Sequence, residues 1–599
     1  VFRHPLVRAA VIQQAAAGDR RAAHAHLAGL YGDSVVRRAT HLAAAATGPD
    51  QAVADLLDQA ARLSIRRGGS AVAVDWLHRA AELSTDACRR DALRADAAFV
   101  ASQASMFDDA QRLTDAVRAG GESPAAALSD GYLALYRDGE VVAGQRRVLA
   151  ALEAADALDD AVVVRLVNLL LVLAQYGGDP TLWRQADDVI DRLAGRLDTQ
   201  TLLYRDCWGD VTRRGRTART RLASLSVGVE TREPWDVARL GVAAYYLDDL
   251  ADFRPVLTRL FQRESERGAV TNAMTMLHLL LLDQIRSGAW EDARESVATG
   301  LSLTATHHND LFRHQFVAYD GLRAALVGDV DCARRCAAEV TAWAAPRRLG
   351  LLLEFPDRIA VLTALAEGDY GSAYAAATRG GAAGTFAPYS HQSADGLLDV
   401  VEAAVHTGRI EAARAHVAEA VRLRLGDISP RLDALVIAAQ ALIADEDDAD
   451  ERYHAAQRHP GLVGFPFELN RVRLCHGMWL RRVRRTSDAR EALGLAADGF
   501  GALGARPWEE RARNELRASG AAVKRAAGGG VALSAQERTI AELAAAGHSN
   551  KQIAAQLYLS PRTVGAHLYR IFPKLGVTGR AALGQALHEF SVVDESLTE

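Results

Sequence analysis

The sequence predicts an all-α protein, in which a tetratricopeptide-like α-solenoid of about 40-residue helical hairpins precedes a small C-terminal helix-turn-helix domain. Three observations predict this fold class. A turn motif recurs at equal intervals in the second half of the chain, helix start and stop signals follow one another between 533 and 584, and the apolar periodicity before them is helical. The 599 residues, of which 49% are apolar and 24% charged, suffice for several soluble domains.

The repeats are defined by a motif of the form Gly, any residue, an apolar residue, two residues and Ala. It begins at Gly288, Gly328, Gly368 and Gly408, so that each interval is forty residues. Because each Gly follows one apolar helical run and precedes another, we expect it to end a helix in the left-handed conformation, while the Ala permits close helix packing. The unit is therefore a helical hairpin, and stacked hairpins form a superhelix.

Weaker copies without the Gly fit the same phase at Asp248 and Asp448. The alternative, a helical bundle without register, is disfavoured because chance rarely places four motifs at one spacing. The groove of a solenoid binds peptides, protein partners or small effectors, and the sequence does not distinguish them. Trp290, His307, His308 and the loop 380–392 are candidate pocket residues, although residues of these types more often belong to a core or a loop.

Two capping boxes mark helix starts near the C-terminus. Ser534 with Glu537, and Ser549 with Gln552, have the spacing at which two side chains satisfy the free N–H groups of a first helical turn. A third start is Ser560, an N-cap followed by proline at the first helical position.

Two glycines, Gly547 and Gly576, stand where left-handed C-terminal caps belong. Together with the starts they predict helices over 535–546, 550–557 and 561–574. The last two are separated by only a few residues, which is the spacing of a helix-turn-helix motif. In that motif the second helix enters the major groove with its N-terminal residues nearest the bases.

The predicted helix 561–574 has two distinct faces. Aliphatic side chains that must pack on the other helices form one face: Val564, Leu568, Ile571 and Leu575. The opposite face carries the candidates for base contact: Arg562, Ala566, Tyr569 and Arg570, with Thr563 on its flank. Between 551 and 580 the chain holds five Lys or Arg and no Asp or Glu, which favours phosphate attraction over the alternative of a merely solvated face.

These residues resemble the C-terminal DNA-binding domain of the LuxR family. The hallmark runs Ser-Pro-Arg-Thr-Val, His-Leu and Lys-Leu-Gly-Val occur at 560–564, 567–568 and 574–577. By this resemblance, Lys551, Arg562 and Lys574 would bind phosphates and the start of the 561–574 helix would read bases. The predicted DNA-binding residues are Ser549, Asn550, Lys551, Ser560, Arg562, Thr563, Val564, Ala566, His567, Tyr569, Arg570, Lys574 and Arg580.

The same resemblance implies a fourth helix that packs on the domain and pairs two copies on DNA. Its predicted dimerisation residues are Ala582, Leu583, Ala586, Leu587 and Phe590.

Three residues depart from the family pattern. Gly565 stands where the family usually has Glu or Lys, so one polar contact is absent. Gly579 replaces a Ser, which leaves Thr578 as the expected N-cap of the fourth helix. Pro573 removes one backbone hydrogen bond, so we expect the last turn of its helix to kink or end early. With so few base-reading side chains, part of the specificity would come from DNA shape and half-site spacing.

Composition restricts where nucleic acid can bind. The net charge of −5 means that the basic surface is local to the C-terminus. Five scattered cysteines exclude a disulfide framework, and Cys332 and Cys336, one helical turn apart, are better explained as small buried residues than as part of a metal site. Apolar runs fall short of the roughly 20 residues that span a bilayer, and no signal peptide opens the chain, so we expect a cytoplasmic protein.

The predicted domains are a winged-helix-like remnant at 1–45, the repeat array at 46–518, a flexible linker at 519–532 and the helix-turn-helix domain at 533–599. This order resembles the large ATP-binding, maltose-activator-like subgroup of the LuxR family. The subgroup's nucleotide-binding domain would precede Val1. Since no phosphate-binding Gly-x-x-x-x-Gly-Lys-Ser/Thr loop occurs, we expect no cofactor in this chain, and ATP only if an upstream domain exists.

Six arginines between 471 and 485 offer a possible second DNA-facing strip, but a solvated helix face is the simpler interpretation. No catalytic motif occurs, and we expect no enzyme activity. The predicted function is a transcriptional regulator that binds double-stranded promoter DNA as a homodimer, with an effector or protein partner in the solenoid groove and no membrane partner. The alternative is a helical-repeat interaction scaffold with a vestigial DNA-binding domain.

Overall fold

The computed structural model describes residues 13–66, 69–119, 124–390, 392–520, 535–557, 561–575, 577, 579–584 and 586–587. The chain divides into two compact units, Val1–Ala521 and Ala522–Glu599. No strand occurs among the described residues, and the predicted all-α fold class is confirmed. Residues 17–45 form two helices, and their assignment to a winged-helix remnant stays a prediction, as does the linker, which lies mostly outside the described residues.

The described part of the first unit is a series of helices in sequential contact. Its first half comprises α1 (Ala17–Leu30), α2 (Val35–Ala45), α3 (Gln51–Arg66), α4 (Ser70–Leu83), α5 (Ala87–Gln103), α6 (Phe107–Arg118), α7 (Pro124–Tyr136), α8 (Val141–Glu153), α9 (Asp160–Gly177), α10 (Pro180–Leu193), α11 (Thr199–Arg214), α12 (Ala218–Leu225), α13 (Pro234–Tyr246) and α14 (Arg254–Arg267).

The second half continues with helices of up to 18 residues. They are α15 (Val270–Ser287), α16 (Trp290–His307), α17 (Asp310–Val327), α18 (Val330–Arg347), α19 (Gly350–Glu367), α20 (Tyr370–Ala377), α21 (Leu397–His406), α22 (Ile410–Arg422), α23 (Pro430–Ile443), α24 (Glu446–Arg458), α25 (Pro466–Arg482), α26 (Thr486–Leu503) and α27 (Arg506–Ala518).

The forty-residue turn motif is confirmed in its physical detail. The φ angles are positive, between +75° and +92°, at all four glycines of the motif, Gly288, Gly328, Gly368 and Gly408. The first three directly follow the last residue of a helix, and Gly408 lies two residues after one. The alanines five positions later, at 293, 333, 373 and 413, are all completely buried. Each motif therefore closes one helix in a left-handed cap and brings the next helix into close contact.

In the repeats that begin at Gly288 and Gly328, the second turn was not found by the sequence motif, because residues other than glycine occupy it. His308 and Arg348 have φ of +51° and +57° and lie twenty residues after Gly288 and Gly328. A left-handed residue of this kind costs about 1–2 kcal/mol relative to glycine. Asp248, at φ +60°, also fits the phase, whereas the predicted turn at Asp448 was wrong, because Asp448 lies in the first turn of α24.

The array winds into a superhelix whose successive turns touch. Helices ten places apart contact each other: α5 with α15, α7 with α17, α9 with α19, and α15 with α25. The odd-numbered helices in this stretch also contact their odd-numbered neighbours, such as α13 with α15, and so form the inner layer. About ten helices thus complete one turn of the superhelix, and the inner layer lines its interior.

One helix among the described residues, α9, is long and apolar enough to cross a membrane by length and composition, with a mean hydropathy of 1.5. It contacts α8, α11 and α19, and 61% of its residues are buried within the array. That burial is typical of a core helix.

The interpretation of the six arginines between 471 and 485 as a solvated helix face is wrong for Arg471. Arg471 is buried rather than solvated, and its guanidinium bonds Asp399 at 2.5 Å and Glu402 at 2.7 Å. Arg511 of α27 bonds the other oxygen of Glu402 at 2.7 Å. Although burial alone would raise the pKa of Glu402, these two guanidinium groups hold it at about 2. The buried ion pairs tie α21, α25 and α27 together.

Two cysteines also have a neighbour that inspection of the sequence missed. The Sγ atoms of Cys332 and Cys336 lie 3.9 Å apart, and Oδ2 of Asp320 lies 3.7 Å from Sγ of Cys332. These three side chains could hold a metal ion by distance alone. Both cysteines are half-buried, whereas the sequence predicted buried residues. Oδ1 of Asp320 already accepts hydrogen bonds from Arg323.

Candidate nucleic-acid interface

The described part of the second unit contains three helices, α28 (Ala535–Ala545), α29 (Asn550–Leu557) and α30 (Pro561–Leu575), and a short turn, Arg580–Ala582. Their order and bounds match the prediction to within one residue. The apolar face of α30 is buried against α28 and α29, as predicted, through Val564, Leu568, Ile571 and Leu575. The opposite face of α30 is therefore directed away from this core.

The second capping box is present atom for atom. The backbone N–H of Ser549 donates to Oε1 of Gln552 at 2.8 Å, and the N–H of Gln552 donates to the Ser549 hydroxyl at 3.4 Å. Gly547 has φ +92°, which is the predicted left-handed cap of α28. These contacts fix the tight turn that places α29 before α30.

The C-terminal end of α30 also follows the predicted cap. The N–H of Val577 donates to the carbonyl of Phe572 at 2.9 Å, which is the outer bond of a Schellman motif. Gly576, the predicted left-handed residue, lies outside the described residues. The helix continues to Leu575, two residues beyond Pro573, so the expected early end does not occur.

Among the described side chains of α30, Tyr569 lies on the outer face and is largely exposed. Its side chain is 80% exposed, so it contributes little to the packing of the domain. Lys551 and Ser549 at the start of α29 are exposed as well, while His567 is half-buried. An exposed tyrosine and lysine on a helix-turn-helix unit are suited to hydrogen bonds with phosphates and base edges.

Lys574 is not free to attract phosphates, because its ammonium group contacts a carboxylate from α28. Its Nζ lies 2.6 Å from Oε2 and 2.8 Å from Oε1 of Glu537. Although the segment from 551 to 580 contains no Asp or Glu, the carboxylate of Glu537 lies against it in the folded domain. Glu537, which the sequence assigns only to a capping box, was missed as a partner because it lies 37 positions away.

Arg580 and Asn550 are engaged with each other. The Arg580 guanidinium donates to Oδ1 of Asn550 at 2.8 Å and to the backbone carbonyl of His548. These bonds tie the segment after α30 to the turn between α28 and α29. In this state both predicted contact residues act within the domain.

Two predictions need correction on burial. Val564 is 0% exposed and belongs to the core, so its side chain supports α30 from inside and cannot face a duplex. Leu583, predicted for dimerisation, is also 0% exposed and packs on the same core. An aliphatic side chain buried in this way has no surface to offer a second copy.

The other predicted dimerisation residues are only partly placed. Ala582 is exposed, and Ala586 and Leu587 are half-buried against the core. Phe590 and the predicted DNA contact Ser560 lie outside the described residues. The same holds for the side chains, though not the helical backbone, of Arg562, Thr563, Ala566 and Arg570.

Gly565 lies on the side of α30 that faces Asn550 of α29. A Cβ built there would approach Nδ2 of Asn550 to 3.6 Å, an ordinary van der Waals distance. Packing therefore does not require glycine at this position, and the methyl group of an alanine fits.

Comparison with known proteins agrees with this geometry. Residues 531–586 match the profile of the family described as bacterial regulatory proteins, luxR family. The C-terminal unit contains a LuxR-family domain. The relatives that match it are named as transcriptional regulators, among them the NarL and UhpA proteins.

The similarity is strong but local to the LuxR-family domain and its surroundings. NarL of Mycobacterium tuberculosis is 50% identical over 50 residues, 8% of this chain and 23% of that protein. UhpA of Salmonella typhimurium is 37% identical over 106 residues, 16% of this chain and 54% of that protein. The HTH-type transcriptional regulator Rv0890c of Mycobacterium tuberculosis is 45% identical over 60 residues, 10% of this chain and 7% of that protein.

These alignments thus span at most about half the length of the relatives. A solved structure of monomeric IFIT1 with Gppp-AAAA aligns with 77% of this chain and 90% of that chain, at 12% identity and a TM-score of 0.20. At that TM-score the alignment defines neither fold nor ligand.

Proposed function

We propose that this protein is a transcriptional regulator that binds promoter DNA through its LuxR-family domain. The observation that carries the proposal is the capped three-helix core, with Tyr569 exposed on the recognition helix α30 and Lys551 exposed on α29. Such a unit places the N-terminal part of α30 in the major groove and the surrounding cations on phosphates. A regulator of this kind acts on the chromosome and therefore works in the cytoplasm.

Dimerisation and effector sensing complete the proposal. Two copies paired through the segment after α30 would bind half-sites about one helical turn, or 10 base pairs, apart. The helical array would take up an effector or a protein partner and alter DNA binding. Membership of the ATP-binding, maltose-activator-like subgroup predicts a phosphate loop encoded just upstream of Val1, which the genomic sequence tests.

One observation favours the alternative of a scaffold with a vestigial DNA-binding domain. Two of the cations predicted for phosphate contact, Lys574 and Arg580, are engaged within the domain. The intact caps and the exposed Tyr569 favour the regulator more strongly, because a vestigial surface would not need them.

A selection from random duplexes with the full chain, followed by mobility shift of the enriched duplex, tests the proposal. We expect enrichment of a site with two related halves, retained in a salt-dependent manner. The variant Lys551→Ala/Tyr569→Ala should lose this retention, whereas a matched variant on the array surface, Arg294→Ala, should keep it. If no duplex is enriched and none is retained at low salt, the scaffold is the better explanation.

A further inference from the structure

We propose that the cavity inside the superhelix binds an aromatic monocarboxylate, with Arg239 as the counter-charge. This inference rests on the proposed effector-sensing role of the array and specifies its site and ligand chemistry. It is carried by a buried guanidinium group that has aromatic neighbours and, among the described residues, no carboxylate in direct contact with it.

The cavity lies among the inner-layer helices from α7 to α19 and opens to solvent at its mouth. Its wall is rich in the rings of Tyr, Trp and Phe from five of these helices, among them Tyr132, Tyr136, Trp208, Trp235 and Phe312. A largely apolar lining with a few polar groups is typical of sites for small organic molecules. The rings provide flat surfaces on which an aromatic ligand can stack.

Arg239 lines this cavity from α13 and is only 5% exposed. Its guanidinium carbon lies 3.0 Å from the centre of the Trp235 ring. Nε and Nη1 are buried and have no hydrogen-bond acceptor among the described residues. The nearest acid on the same helix, Asp236, accepts a hydrogen bond from Gln200 instead.

Other deeply buried arginines of the array are neutralised by carboxylates. Arg431 contacts Asp248, Asp395 and Glu468, and Arg471 contacts Asp399 and Glu402. The sequence therefore pairs buried guanidinium groups where their role is structural. Arg239 has no direct carboxylate contact of this kind. Burial lowers its pKa, and the charge of Asp236, which acts without direct contact, only partly offsets that effect.

An unpaired buried cation is costly, so a function that needs it is the simplest reason for its presence. A bound carboxylate would accept hydrogen bonds from Nε and an Nη atom and supply the missing charge. A single guanidinium neutralises one negative charge, which favours a monocarboxylate over a phosphate dianion. The stacked Trp235 keeps the guanidinium plane in place for this contact.

The polar groups on another part of the wall are already satisfied. The Tyr176 hydroxyl donates to Oε1 of Gln315 at 2.9 Å, and Nε2 of Gln315 donates to the Tyr319 hydroxyl at 2.8 Å. They need no ligand, so Arg239 is the group that selects the charge of the ligand and the rings select its shape.

Calorimetric titration of the full chain with 2-naphthoate, and with its neutral isostere 2-naphthamide, tests the proposal. We expect one saturable site for 2-naphthoate per chain and at least tenfold weaker binding of the amide. In Arg239→Met the two compounds should bind equally, because the variant keeps the apolar stem and loses the charge. Absence of binding by 2-naphthoate, equal affinity of both compounds in the wild type, or a carboxylate preference that persists in Arg239→Met would overturn the proposal.

Thermal unfolding without ligand gives a second readout. Arg239→Met should unfold at a higher temperature than the wild type, since it removes an uncompensated buried charge, whereas Arg431→Met should unfold at a lower one. A lower unfolding temperature for Arg239→Met would show that the arginine is structural and contradict the proposal. Both readouts are independent of DNA, so a failure here leaves the DNA-binding proposal standing, and a failure of DNA binding leaves this site intact.

Discussion

The ammonium group of Lys574 on α30 lies 2.6 Å from the carboxylate of Glu537 on α28. Glu537 is buried and Lys574 is partly exposed, so the pair lies at the edge of the domain core. The contact stabilises the packing of the recognition helix and at the same time withholds one positive charge from a duplex.

We therefore predict that Glu537→Gln increases DNA affinity. Glutamine keeps the capping ability of this position but releases Lys574 to contact a phosphate. Affinity should rise on the order of three- to tenfold near 0.1 M salt, and the slope of log K against log salt should steepen by about 0.9. Mobility-shift titrations over a range of salt concentrations measure both quantities.

Glu542→Gln is the matched control, because it removes the same charge from an exposed position of α28. It should leave the salt slope almost unchanged. Equal effects of the two variants would mean that net charge alone, and not the release of Lys574, controls affinity.

Two glycines of the LuxR-family domain should respond to alanine in opposite directions. Gly565→Ala should stabilise α30 by about 0.5–1 kcal/mol, because the added Cβ fits and glycine weakens a helix interior. Gly547→Ala should destabilise the domain by about 1–2 kcal/mol, because the residue has φ +92°. Hydrogen exchange of peptides from α29 and α30 in the full chain measures both changes. Destabilisation by Gly565→Ala would show that Asn550 cannot accommodate the methyl group.

In the array, Gly328→Ala should cost more stability than Gly408→Ala. Both residues have positive φ, which costs about 1–2 kcal/mol for alanine. A Cβ at Gly408 meets no atom within 4 Å, whereas one at Gly328 would overlap the ring of Pro507 at the start of α27. The overlap adds roughly 1–3 kcal/mol. Thermal unfolding of the two variants should show the larger shift for Gly328→Ala, and equal shifts would contradict the close approach of α27.

The loop 380–390 should lose stability in acid through His416. This side chain is buried, stacks on Phe386 at 4.5 Å and accepts a hydrogen bond from the N–H of Gly384 at 3.0 Å. Burial lowers the pKa of His416 from 6.5 to about 4. The unfolded state therefore binds the proton first, so stability is complete above pH 6.5 and falls as the pH drops towards 4, by up to roughly 3 kcal/mol.

His416→Gln, which keeps an acceptor for Gly384, isolates this effect. Hydrogen exchange of peptides from the loop, measured between pH 7 and 4.5 and corrected for intrinsic rates, should show a smaller loss of protection in the variant than in the wild type. Identical pH dependence of the two proteins would assign the acid sensitivity to other groups.

Several features could be predicted because the residues responsible are close in sequence. The capping box of Ser549 and Gln552 involves positions three apart, and the glycine caps at 288 and 328 depend on the local backbone. Helix bounds in the second unit followed from these signals. Where glycine was replaced, as at His308, the same local geometry left no signal, because the left-handed conformation depends on the two flanking helices packing together.

The functions of charged residues were harder to predict. Arg471 is similar in sequence to the exposed arginines that follow it, yet it is buried against carboxylates about seventy positions away. Arg239 has no sequence signal, because its lack of a partner is visible only when every neighbouring helix is in place. Trp290, considered for a pocket, is a core residue that donates to the carbonyl of Ile285, while the loop 380–392 does line a second cavity.

Local sequence signals were enough to predict a series of helical hairpins with a LuxR-type helix-turn-helix unit towards the C-terminus, because caps, turns and apolar periods act over a few residues. Which charged side chains remain available could be read only from the folded chain. Coulomb energies and desolvation depend on distance in space, and not on separation along the chain. The fold brings Lys574 to Glu537 and Arg471 to Glu402, whereas Nε and Nη1 of Arg239 have no acceptor in the aromatic cavity.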